Sequence, residues 1–145
     1  MTSKARAPGG FTLLELMVVV AVMAILASVA ITSYSRYAFR ARRADGQELL
    51  MRIANAQERY YATFNKYGAD PVTGDLKLKS ATSEKGYYTV TIASNDLTKT
   101  YTATATPVST GAQKSDKCGA LSIDSTGTKL PAVTDTAKNS NGRCW

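Results

Sequence analysis

Apolar side chains fill the chain from Phe11 to Ile31 with one formal charge among them, Glu15. The run is 21 residues long. At about 1.5 Å per residue, a helix of that length crosses a hydrocarbon core of about 30 Å. Beyond it the pattern changes but the helix signal continues, with no proline from Thr32 to Phe64. Leu49, Ile53, Ala56, Tyr60 and Phe64 recur at intervals of three and four, one apolar stripe of an amphipathic helix. Arg43, Gln47, Asn55, Glu58 and Arg59 mark the opposite face, and Glu48 and Arg52 form a favourable i, i+4 pair. One helix over 11–64 would run about 80 Å. No small domain needs such length, so the half without a head to cover it predicts packing against copies of itself.

After Asn65 the period shortens. Gly68, Pro71, Gly74 and Gly86 punctuate a polar stretch that reads as a connecting loop. Tyr87–Ile92 and Tyr101–Thr106 then alternate with period two and are rich in β-branched residues, with Ser94-Asn95-Asp96 as the turn between them. A third strand is expected at 120–123, with Asp124-Ser125-Thr126-Gly127 turning the chain and 128–130 returning. The fold class is α+β: a long helix whose C-terminal half covers one face of a small antiparallel sheet. The segment 138–143 has little apolar content and would fray without a tether at Cys144.

Composition narrows the chemistry. The chain of 145 residues carries a formal charge of +7 and no histidine, which removes the commonest general base and the commonest metal ligand. No nucleophile elbow, P-loop or paired-carboxylate motif is present, so the chain reads as a non-enzyme without a cofactor. Asp116, Asp124 and Asp135 follow no calcium-loop spacing and read as solvated turn residues. Tyr34 and Tyr37 fit an interfacial belt at the end of the apolar run. Tyr60, Tyr61, Tyr67, Tyr87, Tyr88 and Tyr101 read mostly as helix–sheet core. Arg36, Arg40, Arg42 and Arg43 read as a lipid-headgroup or intersubunit patch in preference to a DNA groove.

The leader carries the most specific signal. Lys4 and Arg6 precede Gly9 and Gly10, and the small residues stand before the apolar run rather than after it as in a secretory signal. Cutting after Gly10 would keep the whole run at the new N-terminus and leave side chains at +5. The stretch Gly10-Phe11-Thr12-Leu13-Leu14-Glu15 resembles the class III leader of the type IV pilin family. An uncleaved single-span anchor is the plainer alternative.

The resemblance implies the type IV pilin fold, cleavage between Gly10 and Phe11 by a prepilin peptidase, and N-methylation of Phe11. It also implies that Glu15 pairs with the Phe11 amine of a neighbouring subunit during assembly. The physics agrees, because a carboxylate within a membrane costs roughly 2.5–3.5 kcal/mol and gains from meeting a cation that is equally unwelcome there. Three segments follow: a leader at 1–10, a long helix at 11–64 whose span 11–31 serves as membrane anchor and filament core, and a head at 65–145. Its D-region at 118–144 would be stapled by Cys118 and Cys144, with two free thiols as the alternative. The arginines after the apolar run outnumber the leader's cations, which by the positive-inside rule would hold the head in the cytoplasm. The leader and the cysteine pair overrule that count. Ala24 and Thr32 stand where many pilins carry a helix-breaking glycine and proline, which puts local melting of this helix in question.

The chain is therefore expected to be a structural subunit of a type IV pilus, most like a minor pilin, supporting assembly, twitching motility and adhesion. A major pilin, a pseudopilin of type II secretion and a DNA-uptake pilin are the alternatives. Its partners would be other pilins, the prepilin peptidase, the assembly machinery and the inner membrane, with DNA ranked behind them. The head would be periplasmic before assembly and extracellular in the pilus.

Overall fold

The computed structural model describes residues 10–145, so Lys4, Arg6 and Gly9 of the leader lie outside the described residues. A helix α1 (Leu13–Phe64) is followed by strands β1 (Tyr88–Ala93), β2 (Thr102–Pro107), β3 (Leu121–Asp124) and β4 (Lys129–Leu130), then a short 3-10 helix (Lys138–Asn141). Helical structure is unbroken through Ala24, Thr32 and Gly46. It stops at Asn65, whose φ of 52° and N–H bond to the Tyr61 carbonyl at 2.8 Å make a left-handed C-terminal cap. Contacts divide the chain into two units, 1–35 and Arg36–Trp145. Between Phe11 and Ile31 every described side chain is exposed.

The second unit holds the core. Its four strands pair antiparallel in the order β1-β2-β3-β4, with Val90 opposite Ala105, Ala103 opposite Ile123 and Ser122 opposite Leu130. Period-two alternation turns Tyr88 and Val90, Ala103 and Ala105, and Leu121 and Ile123 inward, where they join Leu49, Leu50, Ile53 and Ala56 of α1 in one cluster. The stretch 67–86 does more than connect. Tyr67 and Leu76 enter that cluster, and the Gln57 amide, fully buried, accepts from Gly68 N at 2.7 Å and donates to Gly68 O at 2.8 Å.

The buried stripe of α1 differs from the expected one. Arg43, Gly46, Leu50, Ile53 and Gln57, spaced three and four apart, form its centre, flanked by Leu49 and Ala56. Phe64, expected on the stripe, is 56% exposed, and Arg43, expected on the solvent face, is 1% exposed. Gly46, which as a sequence feature is only a weak point, lies under the Tyr88 ring. A Cβ there would meet ring carbons at 2.8–3.0 Å. Glycine is required for that approach.

Candidate functional site

Two regions hold the residues of interest, one in each unit. In the first, α1 begins with a cap: Thr12 Oγ1 accepts the Glu15 N–H at 3.2 Å, and the Thr12 carbonyl accepts the Leu16 N–H at 3.2 Å. Thr12-Leu13-Leu14-Glu15 is thus the Thr-x-x-Glu pattern of a helix start, a signal that the sequence itself carries. The consequence is electrostatic. A first-turn carboxylate sits at the positive end of the helix dipole, which lowers the cost of carrying it in an apolar segment. Phe11 is 83% exposed, and the side chains that follow offer a continuous apolar surface. The helix is long and apolar enough to cross a membrane, and its most apolar stretch is not buried by any of the described residues.

In the second region a buried ion pair holds the C-terminal segment. The Arg43 guanidinium donates from Nε to Asp116 Oδ2 at 2.7 Å and from Nη2 to Asp116 Oδ1 at 2.6 Å. Its Nη1 reaches the carbonyls of Gly142 and Arg143 at 2.9 and 2.8 Å, and Nη2 also donates to Asn141 Oδ1. Asp116 accepts further from the amides of Gln113 and Asn141, each at 2.9 Å. Burial alone would raise the Asp116 carboxyl, but the bonds from Arg43 and Asn141 outweigh it and hold it below the usual carboxylate range. Asp116 is therefore an internal anchor, which corrects the expectation of a solvated turn residue. Asp124 and Asp135 do serve turns, accepting from Thr126 N at 2.8 Å and Lys138 N at 3.0 Å.

The disulfide closes the same segment. Cys118 and Cys144, 26 residues apart with Cα atoms at 5.6 Å, are both buried. Gln47 donates to the Cys144 carbonyl at 2.8 Å, and the Trp145 indole donates to the Leu130 carbonyl at 2.8 Å beneath the Lys129 ammonium. Arg42 lies over the Tyr87 ring, whereas Arg36 and Arg40 are exposed beside Ser140–Gly142. Among the described residues no cluster of acids or cysteines is arranged to hold a metal.

Comparison with known proteins decides the family. Residues 32–122 match the model of the type IV minor pilin ComP, DNA uptake sequence receptor. The chain belongs to this minor pilin family. Residues 6–31 match the prokaryotic N-terminal methylation motif. A solved type IV pilin from Shewanella oneidensis is similar at 27% identity with a TM-score of 0.52, covering 74% of this chain and 97% of that one. No curated protein matches. The pilin is thus a minor pilin of a type IV pilus, and its family and fold are structural ones. The leader and apolar helix fit membrane anchoring before assembly into a pilus.

Proposed function

We propose that this minor pilin is cut after Gly10, N-methylated on Phe11 and held by one span in the inner membrane with its head in the periplasm. It then enters the filament through residues 11–31. The observation that carries this is the uncovered apolar surface of α1 with a single carboxylate at its start. Glu15 and a neighbouring copy's Phe11 amine neutralise each other as the helices slide together, each relieving the other's desolvation. Thr12 caps the helix without carrying charge, so two variants separate the roles. Glu15→Ala is expected to insert normally and incorporate poorly into sheared pili, whereas Thr12→Ala loses only the cap, about 1 kcal/mol of local helix stability, and incorporates. Equal incorporation of Glu15→Ala and the parent would overturn the pairing. Loss of twitching or adhesion in a deletion strain tests the role of the finished filament.

A second reading, DNA capture by the head, is favoured by the family description and by charge. Lys114, Lys117, Lys129, Lys138 and Arg143 are exposed in the C-terminal region while Asp116 is spent on Arg43. Duplex binding by the detergent-solubilised chain should then weaken steeply with added salt as condensed counterions are released. No binding at low salt ends this reading and leaves the structural one intact.

A further inference from the structure

Four arginines follow the apolar run, and the head uses two of them. Arg43 is sealed on Asp116, and Arg42 donates to the Ala112 carbonyl at 3.4 Å and covers the Tyr87 ring. Arg36 and Arg40 remain exposed one helical turn apart, and among the described residues neither has an ion-pair partner. With Tyr37, Ser140, Asn141 and Gly142 they line a cleft of about 320 Å³. None of its six lining residues is acidic.

The wall opposite the arginines is built. The Asn141 amide is tied to Asp116 at 2.9 Å, and the Gly142 carbonyl accepts from Arg43 at 2.9 Å. Gly142 has a φ of 106°, a backbone conformation suited to glycine, and a Cβ there would come within 3.9 Å of Arg40 Cδ. The ion pair therefore sets a segment without acids beside two unpaired guanidiniums. Like charges at i, i+4 repel, and each guanidinium presents a planar fork that fits an oxyanion. The cleft calls for a phosphate.

The apolar run indicates whose phosphate it is. Arg36 follows Ile31, the end of that run, by five residues on the same helix. Tyr34 and Tyr37 are 74% and 72% exposed, and such amphipathic rings settle at the membrane–water boundary. We infer that the cleft of Arg36, Tyr37, Arg40 and Ser140 binds the phosphodiester headgroup of an anionic phospholipid while the subunit is in the membrane. The inference rests on the membrane-anchored stage proposed above.

The test uses the full chain in non-ionic detergent micelles, titrated with dioleoyl phosphatidylglycerol and followed residue by residue by NMR. Saturable shifts of the Arg36 and Arg40 side-chain N–H groups and the Ser140 amide are expected. Phosphatidylcholine should not reproduce them, and inorganic phosphate should compete only weakly. Each arginine should contribute about five-fold, so Arg36→Gln with Arg40→Gln should weaken the lipid about twenty-five-fold. Arg36→Lys with Arg40→Lys should retain part of the affinity, since the charge survives and the fork does not. An unchanged dispersion elsewhere in the spectrum shows that the variants fold. Equal shifts with phosphatidylcholine, unchanged affinity in the Gln variant, or displacement of the lipid by a DNA duplex at the same residues would each overturn the assignment. Flotation of the chain with phosphatidylcholine vesicles reports membrane insertion separately, so failure of the anchored stage is distinguished from failure of the cleft.

Discussion

Arg43 on α1 and Asp116 ahead of the disulfide stand 73 residues apart in sequence and form a bidentate pair with side chains 1% and 0% exposed. The pair spans the greatest conflict in the head, a polar C-terminal segment that must lie against a helix. Removing one partner leaves a buried charge. Arg43→Met or Asp116→Leu alone should destabilise the head by about 3–5 kcal/mol in urea unfolding. The double substitution should cost much less than the sum, because no charge is then stranded. Additive losses would show that the two residues act separately.

Acid and alkali should attack different groups. Asp116 is held below the usual carboxylate range, so its stabilisation is complete above the unfolded value of about 3.9 and is lost as pH falls through its lower folded value. Asp70, Asp75, Asp96 and Asp124, lowered by hydrogen bonds in their turns, share that acid limb. Asp116→Asn should therefore flatten it in part, as read by thermal unfolding across pH.

At the other end, burial pushes Tyr88 and Tyr101 up to about 12. A phenol raised above its unfolded value of about 10 stabilises the fold fully below that pH and loses its contribution on the way to its folded value. Each should contribute about 2–3 kcal/mol, lost between about pH 10 and 12. Tyrosinate absorbance should show Tyr88 and Tyr101 ionising together with unfolding.

Gly46→Ala sets helix propensity against packing. Alanine gains about 1 kcal/mol in a helix interior, yet its Cβ would stand 2.8 Å from the Tyr88 ring. Overpacking of that kind costs about 1–3 kcal/mol, so the variant should be less stable by thermal melting. Adding Tyr88→Leu should reduce the difference between glycine and alanine at position 46.

The disulfide and the ion pair hold the same segment. Cys118→Ser with Cys144→Ser should lower stability by about 3–4 kcal/mol through the freed loop of the unfolded chain. The Arg43 bonds to the Gly142 and Arg143 carbonyls remain, so hydrogen exchange should still show Arg43 N–H groups protected in the reduced head. Their complete exposure would show that the disulfide alone positions the segment.

Periodicity and turn chemistry located α1 and the strands to within a residue or two, because alternation and helical repeat are local properties. They caught Leu49, Ile53 and Ala56 on the buried side of α1 but missed its centre at Arg43, Gly46, Leu50 and Gln57. Arg43 and Gln57 share the buried phase of Gly46, Leu50 and Ile53, each three or four residues from the next. A polar residue in a buried phase reads as solvated until its partner is known, and the partners, Asp116 and Gly68, lie at distances no local pattern spans. Thr12 was legible as the cap of α1, since Thr-x-x-Glu before an apolar run is itself a helix start.

The amino-acid sequence by itself determined the leader, the apolar run with Glu15, the helix-then-meander order and the family, since each depends on residue type and spacing along one segment. The tertiary structure alone decided that Gly46 seats Tyr88, that Arg43 is an internal anchor and that Arg36 and Arg40 stay open beside Ser140–Gly142. Those outcomes depend on which distant groups share a desolvated space, where a charge must find its counterion and a ring must find room.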